Sequence, residues 1–136
     1  MSTTGFSKEE KAAMRARIKE MKAAAEGEEA IQAALKEMTP ADRKRGKKIH
    51  AIVTETAPDL IPKTWYGMPA YANKDGKVVV FFRNAGKFKE RYSMLGFNDS
   101  AKLDDGSMWP IAYALTKLTP ADEKKIRALV KKAVSR

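Results

Sequence analysis

Residues Lys63–Tyr71, with the sequence KTWYGMPAY, are the stretch that most strongly constrains the fold. They place three aromatic side chains around a glycine and a proline that are two positions apart. An uninterrupted strand needs neither residue, so the pair predicts a bend, which we place at Met68-Pro69. We expect short extended pieces on both sides of this bend.

Further strand signals follow the bend. Asn73–Gly76 contains Asp-Gly and predicts a tight hairpin turn. Lys77–Arg83 is rich in β-branched and aromatic residues and predicts a buried strand. Lys87–Met94 alternates basic and apolar residues and predicts another strand, and Ser107–Ala114 predicts the last one.

The N-terminal part of the chain predicts two helices. Ser7 and Glu10 form a capping-box pattern at the start of a helix that we expect to run to about Ala25. Gly27 is expected to end this helix, because glycine is common just after a helix C-terminus. Glu28–Met38 then predicts a short second helix around its own apolar residues.

Two nearly identical stretches mark the starts of two more helices. Thr39-Pro40 and Thr119-Pro120 each combine a capping threonine with proline at the first helical position. An aspartate follows at the third helical position, as Asp42 and Asp122. The predicted helices end near Pro58 and Val134. Helices, then a meander, then a helix predict a single α+β domain with an antiparallel sheet of about four to five strands and helices on one face. Residues 1–27 are predicted to be an N-terminal helical extension of the α+β domain formed by residues 28–136.

Composition removes several classes of function. The 136 residues include no cysteine, which excludes disulfides, thiolate metal sites and cysteine nucleophiles. The longest apolar run, Val78–Phe82, is far too short to span a membrane. The N-terminus is polar and then charged, unlike a secretory signal, so we expect a cytoplasmic protein with no membrane contact. The net charge of +10 leaves a nucleic-acid or other polyanionic partner open beside a simply solvated surface.

Three blocks in order carry a family resemblance: Trp65–Tyr71, Gly76–Phe82 and the Phe88–Tyr92 segment. Together they resemble the YdhG-like domain family, a bacterial family of unknown function, over the chain from about Pro40 onward. The resemblance implies a small cytoplasmic α+β domain without an established enzymatic activity. One member of that family is described as a frataxin-like iron chaperone, so iron binding is one alternative function.

The charge of this chain does not favour iron binding. Such a surface needs exposed carboxylates, because iron is held there by oxygen ligands. The acidic residues here are scattered, and a net charge of +10 repels cations. The nearest acidic clusters are Glu26, Glu28 and Glu29, and separately Asp104 and Asp105.

A candidate ligand site can be placed between the predicted bend and the segment around Phe88. Its aromatic and apolar members would form a wall, and its basic members would bind an anionic group. The alternative is that the aromatics are core residues and the bases lie on an ordinary solvent-exposed sheet face. The candidate residues are Trp65, Tyr66, Met68, Tyr71, Lys87, Lys89, Arg91, Tyr92 and Trp109.

No catalytic or metal-binding residues are predicted. The only histidine, His50, has no partner at metal-ligand spacing, and no glycine-rich phosphate loop occurs. We therefore expect a non-enzymatic domain, with no evident cofactor, that binds a small anionic ligand or a protein partner. A single-stranded nucleic-acid binder is a further alternative, since a basic stripe beside aromatic residues can hold such a strand.

The oligomeric state is expected to be a monomer or a weak homodimer. The N-terminal helix carries only a thin apolar stripe, formed by Met14, Ile18 and Met21. A partner helix would bury this stripe in a dimer.

Overall fold

A computed structural model of the protein describes residues 6–135. Within these residues the helices are α1 (Lys8–Lys36), α2 (Pro40–Thr56), α3 (Ala85–Phe88) and α4 (Pro120–Ala133). The strands are β1 (Ile61–Trp65), β2 (Met68–Ala72), β3 (Val78–Arg83), β4 (Ser93–Phe97) and β5 (Ala112–Leu115). They form one antiparallel sheet in the order β1-β2-β3-β4-β5, so the predicted α+β domain with a meander is confirmed.

The core lies between one face of the sheet and the helices. Tyr71 pairs with Val80, which also pairs with Phe97, and these side chains therefore share a face. All three are at most 2% exposed. The helices cover this face with buried aliphatic side chains from α1, α2 and α4, namely Ile31, Leu35, Ile49, Ile52, Val53, Ile126 and Val130.

The helix starts predicted at Ser7, Thr39 and Thr119 are confirmed, whereas no helix begins at Glu28. The Ser7 hydroxyl accepts a hydrogen bond from the Glu10 amide at 3.1 Å, and the Ser7 amide donates to the Glu10 carboxylate at 3.3 Å. Thr119 and Asp122 form the same reciprocal pair at the start of α4. Thr39 caps α2 only through its hydroxyl, which accepts from the Asp42 amide, because the Asp42 carboxylate bonds to other residues. These caps depend only on residues three positions apart, which is why the sequence is sufficient to predict them.

The predicted break at Gly27 is wrong, because α1 runs without interruption from Lys8 to Lys36. Gly27 is buried against the backbone of β1. A Cβ atom at this position would lie 1.7 Å from the carbonyl oxygen of Pro62. The glycine therefore permits close packing between a helix and a strand and does not end the helix.

The first bend is a two-residue turn at Tyr66-Gly67, and its predicted position at Met68-Pro69 is wrong. Tyr66 and Gly67 have positive φ values of 52° and 76°, which is typical of the hairpin turn that matches strand twist. Trp65 pairs with Met68 on either side of the turn. Pro69 lies inside β2, opposite Thr64.

The predicted strand over Lys87–Met94 is also wrong. The chain forms the single-turn helix α3, then Lys89 adopts a left-handed conformation with φ 53°, and β4 begins only at Ser93. A tertiary contact explains this, since the buried carboxylate of Asp42 accepts hydrogen bonds from the Gly86 amide and the Ser93 hydroxyl. The last strand is shorter than predicted and begins at Ala112.

The first half of α1 extends away from the core. Residues 8–23 are all exposed, and the first buried position of the helix is Gly27. The side chains of Met14, Ile18 and Met21 are between 47% and 64% exposed. Over the part of the chain that is described, no helix combines the length and apolar character needed to cross a membrane.

Candidate ligand-binding site

A cavity of about 420 Å³ lies between the end of α1, the β1–β2 turn and the start of α3. We call it the α1–α3 cavity. Its volume is within the range of small-molecule sites in proteins. The polar side chains that line it come from three separate parts of the chain: Glu37, Thr39, Thr64, Asn84 and Lys87.

Lys87 is held in place at the edge of this cavity. Its ammonium group donates a hydrogen bond to the carbonyl oxygen of Tyr66 at 3.1 Å. The side chain passes directly over Gly67, where a Cβ atom would lie 1.7 Å from the Lys87 nitrogen. An ammonium group has three donors, so this contact leaves two donors available for a ligand. Glu37 lines the same cavity and forms no ion pair with Lys87.

Asn84 is the unusual residue of the cavity. Its side chain is 4% exposed, and its Oδ1 atom is buried without a hydrogen-bond partner. No other buried side-chain nitrogen or oxygen of residues 6–135 lacks a partner. Leaving a buried polar atom unpaired costs roughly 1–3 kcal/mol, so an atom without a partner in the protein calls for one from outside it, such as a water, an ion or a ligand.

The floor of the cavity is fixed by Asp42, which is 3% exposed. Its carboxylate accepts hydrogen bonds from the Gly86 amide at 2.9 Å, the Ser93 hydroxyl at 3.1 Å and the Arg45 guanidinium at 3.0 Å. Because Gly86 lies between Asn84 and Lys87, this network holds the backbone between the two residues in place. The cavity is therefore formed on an anchored segment of backbone.

The structure distributes the predicted aromatic residues over different environments. Trp65 is half-buried and packs edge-on against Phe81, with ring centroids 5.2 Å apart. Tyr66 is 77% exposed in the turn. Met68 and Tyr71 are buried in β2, where their odd spacing places them on opposite faces of the sheet.

The remaining predicted residues also separate. Lys89, Arg91 and Tyr92 are exposed between α3 and β4, where the Arg91 guanidinium lies 5.2 Å from the Tyr92 ring centroid. Trp109 precedes β5, at the opposite edge of the sheet from Trp65. Of the nine predicted residues, only Lys87 contributes a side chain to the lining of the α1–α3 cavity.

Sequence reasoning did not identify Glu37, Thr39, Thr64 or Asn84 as lining residues. Thr39 was recognised only as a helix cap, and it also performs that role. Asn84 gives no signal of this role, because nothing in the neighbouring sequence shows that its amide becomes buried. The packing of α1 against β1 and the bond from Gly86 to Asp42 bring these residues together.

A second polar cluster links α1, α2 and β2. The two ring nitrogens of His50 lie 2.8 Å from the Tyr71 hydroxyl and 2.8 Å from the Glu28 carboxylate. Burial raises the pKa of Tyr71 far above its ordinary value, and the charge of Glu28 raises it further. Burial also acts to raise the pKa of Glu28, but hydrogen bonds from Gln32 and His50 outweigh it and lower that pKa.

This cluster resembles a relay of hydrogen bonds but is not suited to catalysis. Tyr71 is 1% exposed, and its raised pKa keeps the phenol protonated. A nucleophile or base needs access to a substrate and an ionisable form near the working pH. His50 therefore joins three elements of the core.

Among the described residues, no group of three or more His, Asp or Glu side chains is placed to hold a metal ion. Comparisons with known proteins give no further guide, since no family model, curated protein or solved structure matches the chain.

Proposed function

We propose that the protein is a YdhG-like α+β domain that binds a small ligand, and that the ligand occupies the α1–α3 cavity. The unpaired Oδ1 atom of Asn84 is the observation that carries this proposal. An apolar residue of similar shape would avoid the energetic cost of this amide, so its presence has a reason if a ligand uses it.

The lining chemistry indicates what the ligand carries. Lys87 supplies a fixed cation for an anionic group, since two of its donors are not used by the protein. Rotation of the whole Asn84 side chain toward the cavity would let its Oδ1 atom accept a hydrogen bond from the ligand. Glu37 then favours a cationic or donor group on the same molecule. A small zwitterion of the amino-acid class satisfies all three side chains.

The test is a titration of the full chain, labelled with ¹⁵N, with each of the common amino acids. Acetate and methylammonium serve as half-ligands. The backbone amides of Gly67 and Gly86 border the cavity, whereas Gly76 and Gly106 have no atoms near their Cβ positions. Binding at the proposed site shifts the first two amide signals and leaves the other two unchanged.

Two variants complete the experiment. Lys87→Met removes the fixed cation, and Lys89→Met removes a neighbouring exposed cation that does not line the cavity. We expect Lys87→Met alone to weaken binding. A ligand with a Kd of 1 mM, added at 10 mM, would stabilise the fold by about 1.4 kcal/mol. Equal weakening by both variants, or saturation without any shift at Gly67 and Gly86, would refute the proposal.

A further inference from the structure

A second cavity, of about 300 Å³, lies between α2 and the connection from β5 to α4. We call it the basic cavity. Lys44, Arg45 and Lys48 line it from one face of α2, because residues three and four positions apart lie side by side on a helix. Lys117 faces them from the β5–α4 connection. Four cationic side chains therefore surround one concave site.

The ion pairs near this cavity neutralise only part of its charge. Arg45 pairs with Asp42 at 3.0 Å, and Lys48 pairs with Glu123 at 3.5 Å. Within the described part of the chain, Lys44 and Lys117 form no ion pair and no hydrogen bond through their side chains. Two positive charges at the cavity thus remain without a counter-charge.

Two of the cationic groups are already oriented by the backbone. The Arg45 guanidinium donates to the carbonyl oxygen of Thr116, and the Lys48 ammonium donates to that of Leu118 at 3.3 Å. These bonds join α2 to the connection and fix the width of the cavity. A ligand therefore meets cations whose conformational entropy is already reduced.

Both helices also present their positive ends here. Ala41 belongs to the first turn of α2 and Thr119 is the N-cap of α4, and both line the cavity. Helix N-termini favour anions by roughly 0.3–1 kcal/mol. Asp122 acts against this effect, because a hydrogen bond from the Thr119 amide to its carboxylate lowers its pKa and keeps it ionised. The two unpaired lysines still leave the site positive.

We infer that the basic cavity binds a phosphate group. Lys and Arg are the side chains that proteins use for phosphate, and Arg45 offers a planar set of donors. The cavity has room for a phosphate group and part of the molecule that carries it. The apolar side chains of Ala41 and Leu118 form part of its wall and suit that remaining part. The phosphate belongs either to a free phosphorylated compound or to the backbone of a single-stranded nucleic acid.

The experiment measures binding of inorganic pyrophosphate and of a labelled ten-nucleotide oligothymidylate to the full chain in 50 mM salt. The test variant is Lys44→Gln with Lys117→Gln. Both side chains are exposed and unpaired, so the variant should keep the fold. A melting scan checks this. The control variant is Lys19→Gln with Lys22→Gln, which removes the same net charge from the exposed half of α1.

We expect the test variant to weaken pyrophosphate binding about fivefold or more, and the control variant to change it by less than about twofold. If the test variant loses pyrophosphate binding but its oligonucleotide binding is unchanged, the ligand is a free phosphorylated compound. If the test variant also binds the oligonucleotide more weakly, and the oligonucleotide competes with pyrophosphate for the wild type, a backbone phosphate is the source. No binding of either probe, or equal weakening by the two variants, overturns the inference. Lys87→Met should leave both probes unaffected, so this result is independent of the α1–α3 cavity.

Discussion

Replacing Gly27 by alanine separates the local preference of a helix from its tertiary packing. Inside an exposed helix, alanine is more favourable than glycine by about 1 kcal/mol. Helix propensity alone therefore predicts a more stable protein. The structure predicts the opposite, because the new methyl group would lie 1.7 Å from the Pro62 carbonyl oxygen.

The expected magnitude follows from the size of this overlap. The methyl carbon and the carbonyl oxygen need about 3.3 Å, so α1 must move away from β1 by more than 1 Å. Such a shift loosens the packing of Ile31 and Leu35, which are at most 1% exposed. Overpacking of a core costs about 1–3 kcal/mol and sometimes more. Because the overlap exceeds 1 Å, the upper part of this range, about 2–3 kcal/mol, applies here. The gain in propensity of about 1 kcal/mol then leaves a net loss of about 1–2 kcal/mol.

Thermal unfolding measures this difference directly. For a chain of this length, 1 kcal/mol corresponds to about 3–4 °C in Tm, so Gly27→Ala should lower Tm by about 3–8 °C. The control is Ala33→Gly, at an exposed position of the same helix, which should lose about 1 kcal/mol through propensity alone. A rise in Tm for Gly27→Ala would refute the close contact between α1 and β1.

Three further predictions concern other parts of the molecule. Ile18→Ala should change the free energy of unfolding by less than about 0.5 kcal/mol, because the side chain is 64% exposed. Ile31→Ala should cost about 2–5 kcal/mol, because this side chain is fully buried. Urea denaturation of both variants checks this contrast. Tyr71→Phe should cost about 1 kcal/mol at neutral pH by removing the hydrogen bond to His50. Because the pKa of Tyr71 is raised in the folded state, its contribution is fully present below the unfolded pKa of 10.0 and falls as pH rises above it. The folded protein keeps the phenol proton that the unfolded chain loses. The free energy of unfolding of the wild type should therefore fall relative to that of Tyr71→Phe as the pH rises from about 9 to about 11, as measured by chemical denaturation. Asn84→Leu should leave Tm unchanged or raise it, since it removes the unpaired Oδ1 atom. The same variant should abolish the ligand-induced shifts of the Gly67 and Gly86 amide signals. A fall in Tm of several degrees would mean that the amide is hydrogen-bonded in the unliganded protein.

Much of the architecture could be predicted from local patterns. The three helix caps are set by side chains that bond to backbone amides three residues later, and all three were located correctly. The β-branched run in β3 and the Asp-Gly turn before it also need no distant partner. These features follow from steric and hydrogen-bonding preferences of neighbouring residues, so the sequence was enough.

The α1–α3 cavity could not be predicted in this way. The sequence indicated Lys87 as an anion-binding residue but assigned it to a strand, where it would have shared a face with Lys89 and Arg91. The structure instead turns the chain at α3 and directs Lys87 over Gly67. This turn depends on the bonds of Asp42 to Gly86 and Ser93, which are more than 40 residues away along the chain.

The sequence by itself determined the α+β class and where most helices begin, because each of these depends on neighbouring residues. Only the tertiary structure decided whether Gly27 ends a helix or admits a strand, since the two roles differ only in what lies against the missing side chain. The same holds for Asn84, whose amide lies beside a cavity without a partner for its oxygen. Burial and close contact between distant segments are properties of the folded chain, and no local pattern of residues specifies them.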